Sequence, residues 1–206
     1  MSPLEIPATW VERIPPDIQL GIRLIAAFVA LLWGLELVDT LLLRGKFNHL
    51  GIKPRKLRGL IGIPLAPLLH GNLKHLAANT GPLLILGSMV MLSGLRSFVL
   101  VTLIIWLISG LGVWLLGRSR TNHLGASGLV FGYLGFLLLR GYFERSPLAI
   151  VLAVLVGFLY GGALWGLLPL QPGRSWVGHT FGFLAGGMTA RYWLALQESL
   201  SLSERL

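Results

Sequence analysis

Ser127, His179, His75 and Asn79 are the side chains whose types and spacing could do chemistry together in this sequence. A serine hydroxyl needs a base to become a nucleophile, and an imidazole can take its proton and pass it on to a leaving amine. The four lie in or at the head of apolar blocks, where ionisable and amide groups are costly and are functional candidates by default. His75 and Asn79 are four residues apart and so share a helix face. His179 shares a face with Gly182 and Gly186, and Ser127 with Phe131, while Gly128, Gly132 and Gly135 line a smooth neighbouring strip. Glycines so spaced let two helices approach closely in lipid. The spacing therefore predicts contact between the Gly128/Gly132 and Gly182/Gly186 strips, with Ser127 and His179 at hydrogen-bonding distance.

A helix starting at Ser127 adds its unpaired amide N–H groups and the positive end of its dipole. With His75 and Asn79 these would give a developing oxyanion several donors, each worth ~3 kcal/mol in hydrolases. Singly, each feature has a plainer explanation: a packing glycine pair with a bystander serine, a structural histidine, an asparagine bridging two helices. Together they are the parts of one reaction.

The elements that must position them are membrane helices. Of 206 residues 54% are hydrophobic and 12% charged, the mean hydropathy is +0.76, and the apolar residues fall in long blocks with charges between them. That pattern suits lipid as the solvent and excludes an ordinary soluble domain. The net charge of +9 lacks the basic amphipathic helix of a nucleic-acid binder, and basic residues flanking apolar spans suit anionic lipid headgroups instead. With no cysteine, disulfides, thiolate zinc sites and a cysteine nucleophile are excluded.

Six helices are expected, over about 18–43, 75–95, 97–117, 127–140, 147–168 and 177–196, in a single domain with tails at 1–17 and 197–206. The acids and prolines of the N-terminal tail do not suit a signal peptide, so the first span is expected to be retained. The 44–69 loop starts basic and ends apolar, which predicts a segment lying in the membrane interface. The fourth helix has only 13 apolar-compatible residues, ~20 Å. With Arg140 at one surface, Ser127 would start ~10 Å below the other, at the floor of a wet cavity.

The ordered residues His70, His75 and Asn79, then Gly125-Ala126-Ser127-Gly128, then His179, Gly182 and Gly186 resemble the rhomboid family of intramembrane serine proteases. The resemblance spans about 66–190. It implies a six-helix bundle whose water-filled cavity faces away from the cytoplasm, with Ser127 as nucleophile and His179 as general base. It further implies an oxyanion hole of His75, Asn79 and the Ser127 backbone N–H, no third acid, no metal and no cofactor. Its substrates would be transmembrane or membrane-adjacent segments of other proteins, cut near small residues. Two departures stand out: Phe131 replaces a tyrosine common in bacterial members, and the Trp-Arg pair of the first loop is absent, leaving Arg55 or Arg58 as its anchor.

Other chemistries fare worse. There is no H-E-x-x-H motif, and the only aspartates are Asp17 and Asp39, too few for an intramembrane aspartyl pair. A zinc site from His70, His75 and His179 stays open, although His70 and His75, five apart, would diverge on a helix. A non-catalytic rhomboid-like escort protein is a second alternative, against which stand the retained serine and histidine. Glu36 and Asp39 are expected to pair with Arg44 or the basic loop, and His49 and His123 have no assigned role. Sorting Lys and Arg by side gives 7 against 10, or 7 against 4 once the first loop is set aside as interfacial. The latter agrees with a cytoplasmic N-terminus and a bacterial plasma-membrane location.

Overall fold

The computed structural model describes residues 15–170 and 175–203. Among them the chain forms eight α-helices: α1 (Pro16–Val38), the single-turn α2 (Gly62–Leu65), α3 (Leu73–Met91), α4 (Leu95–Leu116), α5 (Ser127–Glu144), α6 (Pro147–Tyr160), α7 (Trp176–Arg191) and α8 (Trp193–Ser203). The expected N-terminal tail falls almost wholly outside the described residues.

Local sequence explains the boundaries. The Asn72 side chain accepts the His75 N–H and starts α3, Ser146 with Pro147 at the first helical position starts α6, and Ser175 caps α7. Each satisfies an amide that the helix itself cannot. The turn into α4 needs Gly94, whose φ of +92° is left-handed.

Three segments are long and apolar enough to cross a membrane: α1 with its π-helical continuation to Leu43, α4, and α6 with its 3-10 continuation Gly161–Leu167. They carry a broad exposed apolar surface that includes Leu41, Leu42, Leu103, Leu107, Val154 and Phe158. So large an apolar surface fits lipid contact: the chain is a multi-pass membrane protein. Between these segments sit α3, α5 and α7, with α5 packed along α7.

Several expected boundaries move. The fourth helix does not stop at Arg140 but runs 18 residues to Glu144, about 27 Å. Arg140 is buried, bonded to Ser93 and Glu144 and lying against the Phe136 and Trp193 rings, so it does not mark a surface. The shortfall of ~10 Å argued from it therefore lapses. The last span breaks at Tyr192, and α8 takes up most of the expected C-terminal tail. The first loop is held by protein contacts: Ile52 bridges His123, and Ile63 and Ala66 pack with Val113 and Val177. Arg55 donates to the Leu115 carbonyl and the Ser119 hydroxyl, tying the loop to the end of α4.

Candidate active site

Ser127 is the first residue of α5, and His179 lies in the first turn of α7. The two helices meet where neither carries a side chain. A Cβ on Gly182 would strike the Gly128 carbonyl, and one on Gly186 the Gly132 carbonyl. That contact sets the Ser127 Oγ 3.0 Å from His179 Nε2. Ser127 is half-buried, whereas His179 is only 7% exposed.

The other ring nitrogen fixes the direction of proton transfer. His179 Nδ1 lies 3.0 Å from the Gly166 carbonyl oxygen, which can only accept. Nδ1 therefore carries the hydrogen, and Nε2 turns its lone pair to the serine hydroxyl. Phe131 stacks on the imidazole, with ring centroids 4.1 Å apart and planes 8° from parallel. Thr180 adds a second tie from α7, donating to the Leu167 carbonyl at 3.0 Å.

Two kinds of donor are candidates for an oxyanion formed at Ser127. Leu129 and Val130 donate back to the Ala126 carbonyl, and no acceptor among the described residues takes the Ser127 or Gly128 N–H. On α3, Asn79 is 5% exposed and its amide nitrogen has no partner. A buried amide left unpaired costs roughly 1–3 kcal/mol, a cost removed when an acceptor arrives.

His75 lies against Gly125, whose φ of +109° and lack of a Cβ let the chain pass the ring. His70 is not on the helix with His75, because α3 begins only at Leu73. The rings are neighbours, with centroids 5.2 Å apart, so their divergence along a helix does not apply. His70 Nε2 accepts the Ala126 N–H at 3.3 Å, and burial, aided by the nearby His75, holds its pKa down to about 4. Among the described residues no three His, Asp or Glu side chains converge as metal ligands.

A cavity of about 30 Å³ opens beside Ser127 and Gly128, with Ser109, Trp106, His123 and Ser175 in its wall. That is room for a water or two. His123, unassigned from sequence, bonds Ser175 through Nδ1 and Thr121 through Nε2, both at 2.7 Å, joining the loop before α5 to the cap of α7. Burial lowers its pKa. Glu36 accepts from Thr40, and Asp39 accepts the Phe47 N–H at 2.9 Å, rather than pairing with Arg44. The Gly166 carbonyl carried no residue-type signal at all. Its trace is the glycine, since a Cβ there would press on Phe131.

A helical multi-pass membrane protein with a serine hydroxyl and a tautomer-fixed imidazole touching at a glycine seam is the class that fold and site define. Residues 58–196 match the Rhomboid domain, and the chain belongs to the rhomboid family. An uncharacterized protein of Mycobacterium tuberculosis is 46% identical over 200 residues, covering 93% of this chain and 82% of the relative. One from Mycobacterium leprae is 42% identical over 182 residues, covering 84% and 71%.

Proposed function

We propose that the protein is an intramembrane serine endopeptidase that cuts other membrane proteins in or near their transmembrane segments. The observation that carries this reading is the His179 Nε2 to Ser127 Oγ contact of 3.0 Å, with Nδ1 committed to the Gly166 carbonyl. In the first step Oγ attacks the scissile carbonyl carbon while Nε2 takes its proton. The carbonyl oxygen becomes an oxyanion facing the N–H groups of Ser127 and Gly128 and the side chains of Asn79 and His75. As the C–N bond breaks, the imidazolium returns the proton to the leaving amine, leaving an acyl ester on Ser127. Water then attacks the ester, with Nε2 taking its proton and giving it back to Oγ, and the acid product leaves.

In this reading one domain crosses the membrane six times, with α3, α5 and α7 as inner spans beside the three apolar ones. The N-terminus is cytoplasmic and the site opens on the opposite side of a bacterial plasma membrane, an origin in keeping with mycobacterial relatives. No metal or cofactor takes part. The retained serine and histidine favour this over a silent escort function.

The test is a single-pass model substrate reconstituted with the protein in liposomes, together with a fluorophosphonate probe. The wild type is expected to cleave and to be labelled at Ser127, and Ser127→Ala to lose both, with cleavage down at least ~10³-fold. Wild-type-level labelling of Ser127→Ala would refute the nucleophile. Chelator-sensitive cleavage that survives that substitution would point to a metal instead.

A further inference from the structure

A second open cavity, of about 640 Å³, lies away from the serine, between the end of α1, the turn after it and the start of α3. Its size falls within the ~300–1,000 Å³ of small-molecule sites. Two carboxylates on its wall, Glu36 and Asp39, are 4% and 3% exposed. Each has one oxygen engaged, Glu36 with Thr40 and Asp39 with the Phe47 N–H. Among the described residues the buried Asn48 Oδ1 in the same wall has no hydrogen-bond partner. Arg44 and Lys74 also border the cavity, and neither is ion-paired among the described residues. Buried carboxylates and exposed cations bordering one cavity without meeting leave a gap for a ligand with separated charges.

We propose that this cavity binds an aminophospholipid headgroup of the phosphoethanolamine type. The primary ammonium donates to Glu36 and Asp39, and Arg44 and Lys74 meet the phosphate. Charge-assisted hydrogen bonds of this kind need N–H groups, so a trimethylated choline headgroup is discriminated against. The position points to lipid rather than a soluble zwitterion. The first helical segment runs 28 residues, about 40 Å, so its far end reaches headgroup level. Beside the carboxylates the same helix end exposes Leu37, Val38, Leu41 and Leu42, the last two by 72% and 74%, a surface for the acyl chains. The site is independent of the protease reading, and its test needs no activity.

The full chain is reconstituted in liposomes of mixed phosphatidylethanolamine, phosphatidylcholine and phosphatidylglycerol, and retained lipid is read by native mass spectrometry. The test variant is Glu36→Gln with Asp39→Asn, which keeps the acceptors for Thr40 and Phe47 and removes the charge. The wild type is expected to retain phosphatidylethanolamine about tenfold over phosphatidylcholine, and the double variant to lose that preference while its thermal unfolding stays put. Equal retention of the two lipids by the wild type overturns the proposal. So does preferred phosphatidylglycerol that is lost with Arg44→Gln/Lys74→Gln but not with the carboxylate variant, which would mark an anion site. Displacement of the lipid by a soluble lysine-bearing peptide overturns it as well. If the double variant unfolds early, Glu36→Gln alone decides: unchanged phosphatidylethanolamine preference sinks the idea, and its loss supports it.

Discussion

α5 buries 11 of its 18 residues, whereas α6, which follows it after only Arg145 and Ser146, buries 3 of 14 and exposes Phe158 by 86%. Neighbours in sequence thus meet different solvents. On α6 any apolar side chain serves, because lipid adapts to its shape. On α5 a Cβ at Gly135 would strike the Phe183 backbone of α7 and one at Gly132 the Ile105 side chain of α4, so the absence of a methyl group becomes a specification. Glycine shows the contrast most clearly. A Cβ at Gly186 of α7 meets the α5 backbone, while one at Gly157 of α6 meets only the end of Leu138, at 3.5 Å.

Gly186→Ala is the sharpest way to break that comparison. Something must shift to admit the carbon, at a cost of about 1–3 kcal/mol, and the α5–α7 spacing that sets the Ser127–His179 contact opens. We expect a lower unfolding temperature and cleavage down by at least ~10²-fold. Unchanged kinetics would mean that the seam does not set the geometry. Asn79→Ala should leave substrate KM nearly alone and lower kcat by roughly 10²-fold, the ~3 kcal/mol of one oxyanion donor. A rise in KM with kcat intact would assign the side chain to substrate binding.

A third test uses acid. His70 in the folded protein titrates near pH 4, below its ordinary 6.5, so between those values the unfolded chain binds a proton that the folded one refuses. Stability is therefore full above about 6.5 and falls as the pH drops toward 4. Protonation also turns the acceptor of the Ala126 N–H into a donor, at the residue just before Ser127. His70→Gln, whose amide oxygen can still accept, should flatten the loss of unfolding temperature between pH 7 and 4.5. Parallel losses in both proteins would remove His70 from the account. The smallest effect belongs to α6: Gly157→Ala should be neutral or stabilise by up to about 1 kcal/mol through helix propensity, with cleavage within twofold. A large loss there would mean that α6 is packed as tightly as α5.

The same contrast explains what the sequence made legible. Ser127 and His179 could be paired because glycine spacing records helix contact directly, and the helix start at Ser127 was visible because apolar periodicity begins there. Arg140 was misplaced because its burial depends on Ser93 and Trp193, each about 50 residues away in the chain. The contacts that hold the 44–69 loop were not legible because its partners, Val113 and Val177, come from distant helices. The Gly166 carbonyl was invisible for a different reason: every residue has one, and only the fold says which one matters.

That carbonyl has a kinetic consequence. It places the fractional negative end of one peptide dipole behind the imidazole, where a carboxylate would place a full charge. In the proposed mechanism the cationic ring formed during bond cleavage would be only partly compensated, so its formation would stay uphill. Chemistry rather than product departure should pace each cycle, and a sizeable slowing in heavy water is the signature to look for.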